Sequence, residues 1–320
     1  MQYQPDQDQL ALAGAFEAPL AAILPIARLH REAGGENETT WRRLFELGLT
    51  SAALEEERGG SGLGATELAL IGIELGRNLA SPAIFATMIA LGGAKRLVDS
   101  SDPPRIAAAF PVEDSIWIDE SSANLLLART NAGAALHAMP SGARVADEET
   151  WGARLMSGDI GPALRRLGPR EVRLMRLLDA AALAGIADAT LAMAVEYAKT
   201  REQFGRPIGS FQAIKHHCAN MAIAARSARD LTTFAAVAID TGRVDAPSRT
   251  ESAFLVAAHA AIDNAGVNIQ IHGGIGFSAE ADPHLFLKRA RLIAALGGGV
   301  EAAGRRVVAA YQSNSRRMEE

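Results

Sequence analysis

Apolar and polar positions alternate along this chain in two different rhythms. Over residues 171–200, Leu177, Ala181, Ala184, Ala187, Leu191, Ala194 and Val195 recur at helical spacing. Ile214, Cys218, Met221, Ala225, Ala228 and Leu231 repeat that rhythm over residues 211–241. Further helical stripes run over 246–271, 281–296 and 301–313, and together they predict an antiparallel bundle. The first hundred residues also read as helices. An apolar pattern over 10–30 is interrupted at Pro25, a short amphipathic helix over 41–49 closes on glycine, a third helix covers 67–79, and Pro82 opens another. Between them the rhythm shortens. Residues 115–118, 124–128 and 134–138 are short apolar runs bounded by turn residues, and they predict a few short strands. Residues 147–168 read as a polar loop anchored by Trp151. On this patterning the chain is mainly α, with helices over 1–106, a strand-bearing segment over 107–170 and a helical bundle over 171–320.

Composition narrows the function classes. The 320 residues are 48% hydrophobic but only 5% aromatic, which favours helices packed through short side chains. A net charge of −5 gives no electrostatic reason to expect a nucleic-acid partner. The single cysteine, Cys218, excludes an internal disulfide and a cysteine-based zinc cage, so no metal is expected, and Cys218 reads as a small core residue. No uncharged run approaches ~20 apolar residues, so no membrane span is expected. A reducing cytoplasm is the default compartment.

The stretch Tyr197-Ala198-Lys199-Thr200-Arg201-Glu202-Gln203-Phe204-Gly205-Arg206-Pro207-Ile208-Gly209-Ser210-Phe211-Gln212 joins the two longest stripes. Its glycines permit positive φ, and Pro207 discourages helix at Arg206. Arg201 thus lies at a helix end beside a reversal. There it can cap the last carbonyls or hold a carboxylate or phosphate two-pronged. A second motif, Gln270-Ile271-His272-Gly273-Gly274-Ile275-Gly276-Phe277, reads either as a helix-ending glycine loop or as a backbone that phosphate oxygens can approach. The glycine cluster 59–64 lacks the Lys-Ser/Thr ending of a phosphate loop and reads as a turn. Asp188 and His259 fall on bundle helices and read as interhelical hydrogen-bond partners.

Both motifs, in this order and at this separation, resemble the acyl-CoA dehydrogenase family. Trp41-x-x-Leu44, the 57–64 glycine loop and Glu74-Leu75-Gly76-Arg77 are similar to that family's N-terminal helical domain. The resemblance implies FAD. It places Arg201, Phe204, Gln212, Gln270, Gly273 and Gly274 around the adenosine-diphosphate half of the cofactor, across a dimer interface. It also implies dehydrogenation of an acyl-CoA thioester to a 2,3-double bond, with an electron-transfer flavoprotein as acceptor.

The departures are as informative. The family's middle β-barrel domain has around a hundred residues or more and carries Thr-Glu-Pro-x-x-Gly-Ser-Asp and Trp-Ile-Thr-Asn-like segments. Neither segment appears here, and about sixty residues are too few to close a typical barrel. The family's usual catalytic glutamate falls at Gly297, which can abstract nothing. Glu301 reads as a helix-starting glutamate. Some members place the base on an earlier helix, and the matching position is Asp179. That aspartate reads either as a base or as an ion-pair partner of Arg176 or Arg173. Three readings follow. The first, which the resemblance favours, is the shortened subunit of an α2β2 acyl-CoA dehydrogenase of bacterial steroid and cholesterol breakdown, paired with a paralogous subunit. The second is a homomeric dehydrogenase using Asp179. The third is a scaffold without flavin. The acyl group is not legible, although small side chains and a missing barrel wall suit a bulky ring.

Overall fold

The structure is a computed structural model. It describes residues 4–30, 36–92, 104–112, 115–118, 123–130, 133–140, 144–150, 153–157 and 160–319. Four helices come first: α1 (Gln7–Ile23), α2 (Glu38–Glu46), α3 (Ala65–Arg77) and α4 (Pro82–Gly92). Asp6 starts α1 with a capping box onto Gln9, and Pro25 follows the helix end at Leu24. All of α3 except Glu67, Glu74 and Arg77, and all of α4 except its last residue, are buried, so their apolar composition reflects packing on several sides.

Seven strands form one sheet in the order β5-β6-β2-β1-β3-β4-β7. They are β1 (Ile106–Val112), β2 (Ser115–Ile118), β3 (Leu125–Thr130), β4 (Gly133–Ala138), β5 (Arg144–Thr150), β6 (Ala153–Ser157) and β7 (Arg165–Arg166). The sheet is open among the described residues, with β5 and β7 as its end strands, in keeping with too short a segment for a barrel. More strands form than the pattern predicts. β1 reads Ile-Ala-Ala-Ala-Phe-Pro-Val, an alanine-rich run without alternation. It is a strand because it pairs parallel with β3 and antiparallel with β2, with Ile106 to Ala109 fully buried. β5 and β6 occupy part of the expected polar loop, and their pairing carries two register shifts. Trp151 lies outside the described residues.

The bundle consists of α5 (Pro169–Thr200), α6 (Gln212–Asp240), α7 (Ala246–His272), α8 (Pro283–Leu296) and α9 (Val300–Glu319). Each lies within about two residues of its predicted stripe, except that α9 runs further. α3 crosses α5 through two glycines: a methyl on Gly76 would overlap the Ala182 carbonyl, and one on Gly185 the Ile73 carbonyl. Asp240, ending α6, accepts from the Ala65 and Thr66 amides at 2.7 and 2.8 Å and from the Thr66 hydroxyl at 2.6 Å. That carboxylate caps α3 and fastens the N-terminal helices to the bundle. Asp188 bridges helices as expected, 3.1 Å from Arg229 and 3.9 Å from Arg77. His259 instead faces solvent.

Two stretches, Gln7–His30 and Pro169–Thr200, are long and apolar enough to cross a membrane by length and composition alone, and charged residues interrupt both. α5 owes its composition to its place at the bundle centre, where 67% of its apolar window is buried. The corresponding N-terminal window is 17% buried. Cys218 is half-buried against a small cluster of Ala194, Ala198, Met221 and Ile271, and burial raises its thiol pKa.

Candidate functional site

One end of the bundle gathers the motif residues. α5 stops at Thr200, and the Arg201 amide donates to the Tyr197 carbonyl at 2.8 Å. A two-strand hairpin follows, β8 (Glu202–Gln203) and β9 (Arg206–Pro207), closed by a bond from the Ile208 amide to the Arg201 carbonyl at 2.8 Å. Its two-residue turn has φ of +56° at Phe204 and +75° at Gly205, as a primed hairpin turn requires. A phenylalanine there stores strain of about 1–3 kcal/mol. The strained backbone carries a ring that is 91% exposed and meets Phe211 edge-on at a centroid separation of 6.1 Å. The Arg206 guanidinium sits 4.2 Å over the Phe211 ring and ties the hairpin to the start of α6, where Gln212 is exposed.

α7 ends beside it. Tyr197 stacks on His272 at 4.0 Å, and its hydroxyl lies 3.5 Å from the His272 carbonyl. Gly273 follows with φ +65°, and a Cβ on Gly273 or Gly274 would meet nothing within 4 Å. Gln270 is exposed in the last turn. Arg201 is exposed and makes no ion pair among the described residues. Ile275 and Phe277 are 52% and 75% exposed. This end therefore presents the Arg201 guanidinium, the amides of Gln212 and Gln270, an open glycine backbone and bare rings.

The other candidate residues lie in a different region of the bundle. Asp179 is 1% exposed on α5. Its two oxygens accept from Arg129 Nη1 at 2.7 and 2.9 Å, so neither Arg176 nor Arg173 is its partner. Arg129, on β3, is fully buried, and its Nε and Nη2 have no hydrogen-bond partner among the described residues. Sequence reading missed this arginine. Its one signal was a charge inside the apolar run Leu-Leu-Leu-Ala-Arg.

Gly297 ends α8 and packs on Phe254 of α7, whose ring occupies the space a Cβ would need. The Gly297 carbonyl accepts from Arg176 Nη1 and, at 3.1 Å, from Arg306 Nη2. Arg306 Nε also donates to Glu251 at 2.8 Å. The guanidinium carbons of Arg176 and Arg306 lie 5.6 and 6.0 Å from the Phe254 centroid. Burial first, then the charge of Arg306, lowers the Arg176 pKa. Glu301 sits in the first turn of α9 and pairs with Arg305 at 2.5 Å, a helix-start role.

Comparison with known proteins places this geometry. Residues 170–311 match the profile described as acyl-CoA dehydrogenase, C-terminal domain, and residues 6–98 match acyl-CoA dehydrogenase, N-terminal domain. The chain belongs to the acyl-CoA dehydrogenase family. It is 34% identical over 267 residues to the acyl-CoA dehydrogenase IpdE2 of Mycobacterium tuberculosis, covering 80% of this chain and 81% of that one. It is 33% identical over 324 residues to the acyl-CoA dehydrogenase FadE34 of the same organism, covering 88% of this chain but only 44% of that relative. Among solved structures, a steroid acyl-CoA dehydrogenase named Tcur3481-Tcur3483, G363A variant, superposes with a TM-score of 0.78 at 26% identity. That match covers 97% of this chain and 99% of the other. The ChsE4-ChsE5 complex of Mycobacterium tuberculosis shares the fold, with a TM-score of 0.74 at 24% identity over 96% and 98% of the two chains.

Acyl-CoA dehydrogenases are FAD-dependent oxidoreductases, and the two regions of this chain fit that cofactor unequally. At the hairpin end, an unpaired guanidinium, two exposed amides and an open Gly273-Gly274 backbone have the donor chemistry for a pyrophosphate and adenosine. Near Gly297, the backbone is pinned by two arginines and pressed against Phe254. At Asp179, an internal ion pair fills the interface of sheet and helix.

Proposed function

We propose that this chain is one subunit of a heteromeric, FAD-dependent acyl-CoA dehydrogenase that forms a 2,3-double bond in a steroid-derived acyl-CoA thioester. It holds the adenosine-diphosphate half of a flavin whose ring, and whose proton-abstracting carboxylate, sit in a paralogous partner. When bound, FAD supplies the hydride acceptor. This chain's own part is electrostatic and steric. Arg201 neutralises phosphate charge, Gly273 and Gly274 admit the cofactor backbone, and Phe204, Gln212 and Gln270 frame it. The carrying observation is Gly297: it has no acid, and Phe254 denies it space for one.

Asp179 is a poor substitute. A general base must be reachable by the proton it takes, whereas Asp179 is buried and saturated by Arg129. The homologues support a partner. One named relative is a steroid dehydrogenase with two component names, and more than half of FadE34 lies outside its match to this chain. The bare rings of Phe204 and Phe277 suit an apolar interface. The test is to purify the chain alone and co-expressed with an acyl-CoA dehydrogenase paralogue, then assay acyl-CoA oxidation with an artificial electron acceptor. Activity confined to the complex is the expected result. Equal specific activity of the lone chain would refute the proposal.

A further inference from the structure

A cleft of about 530 Å³ opens where the first turns of α5 and α7 meet one face of α9. Its volume lies within the range of about 300–1,000 Å³ typical of small-molecule sites. The walls are largely apolar, with Leu167, Val172, Pro247 and Ala309 among them. Arg173, Arg176 and Arg306 also line it, against the single carboxylate of Glu251.

Among the described residues, the lining carries three guanidinium groups against one carboxylate. Glu251 is taken by Arg306 at 2.8 Å and reaches Arg176 Nε only at 3.8 Å, too far for a hydrogen bond. Arg176 is 3% exposed, yet its buried Nε has no hydrogen-bond partner among the described residues. Arg173 makes no ion pair among the described residues. Burial, then the neighbouring Arg306, lower the Arg176 pKa against the opposing pull of Asp179 and Glu251. A buried donor left unmet is destabilising, and an anion that reached it in this cleft would relieve that penalty.

The geometry points to a binding site for an organic acid, a carboxylate head on an apolar body, with Arg173 and Arg176 as its receivers. Two carboxylate oxygens match guanidinium forks, and the aliphatic walls receive the remainder. A bare phosphate would leave those walls unfilled. The site uses no residue of the hairpin end, so it stands or falls separately from the flavin assignment.

The test is calorimetric titration of the full chain with octanoate, octanamide, inorganic phosphate and coenzyme A. Octanoate is expected to bind, and octanamide about 10–100-fold more weakly, as the loss of a charged hydrogen bond implies. Phosphate should bind more weakly than octanoate. Arg173→Glu should reduce octanoate affinity at least as much as the amide does, with an unchanged melting temperature, because Arg173 is half-buried and makes no ion pair among the described residues. Equal binding of octanoate and octanamide would overturn the proposal. So would phosphate or coenzyme A binding in preference to octanoate, wild-type octanoate affinity in Arg173→Glu, or no binding at all.

Discussion

The ring of Phe254 stands where a side chain on Gly297 would have to be. Two arginines hold that glycine's carbonyl in place. The position that the resemblance assigns to the family's base is therefore blocked as well as empty, and on the proposed account an acid placed there by mutation does not confer the reaction. Gly297→Glu is expected to cost at least about 1–3 kcal/mol through overpacking, lowering the melting temperature by a few degrees. Adding Phe254→Ala should recover part of that loss without conferring dehydrogenase activity on the lone chain. Thermal denaturation and a turnover assay check both halves. Unchanged melting in the single variant would contradict the packing described.

The Arg129–Asp179 pair makes a separate prediction. Breaking a buried pair by removing one partner costs about 3–5 kcal/mol, because the other charge is stranded. Arg129→Met and Asp179→Leu should each be strongly destabilising, and the double variant should be more stable than either. Asp179→Asn, once assembled with the partner, should keep its turnover number. Loss of turnover with the fold and flavin intact would make Asp179 the base after all.

Arg201 is exposed and unpaired, so its replacement should leave the fold alone. Losing a charge-assisted bond to phosphate costs about 1.5–3 kcal/mol. Arg201→Ala in the complex should therefore weaken FAD retention by about 10–100-fold, with no change in melting of the apoprotein. Flavin release on dilution measures it. Full occupancy in the variant would remove Arg201 from the cofactor site.

Asp245 sets an acid limit. Hydrogen bonds from Arg243 and then Arg249 lower its carboxyl from 3.8 to about 2. A depressed folded-state pKa gives stability that is complete above the unfolded value and lost as pH falls. The contribution should fade between about pH 4 and pH 2. Asp245→Asn should flatten the melting-temperature profile in that window and leave it parallel to wild type above pH 5. An unaltered acid limb would show that the ion pair does not couple to unfolding.

The bundle was legible because long helices repeat their apolar faces many times. The residues from Ala246 to His272 needed no partner information to be read. β1 was not legible, because four consecutive buried residues with three alanines carry no alternation; only pairing with β3 makes them a strand. The hairpin motif declared Arg201, Phe204 and Gly205 through unusual residue types, and the structure gathers them with Gly273 at one end. Asp179 shows the opposite case. Its partner Arg129 lies fifty positions earlier on the sheet, while the two arginines nearby on its own helix were the wrong candidates. Likewise, Phe254 and Gly297 are distant in sequence, so their contact exists only in the folded chain.

The central claim is that this chain grips one half of a flavin that another subunit completes. The most direct measurement is the visible flavin absorbance of the purified chain, alone and in stoichiometric complex with its paralogue, at equal protein concentration. The account predicts a colourless lone chain and a flavin band that appears on assembly. One tightly held FAD per protomer in the lone chain, active on acyl-CoA, would contradict it.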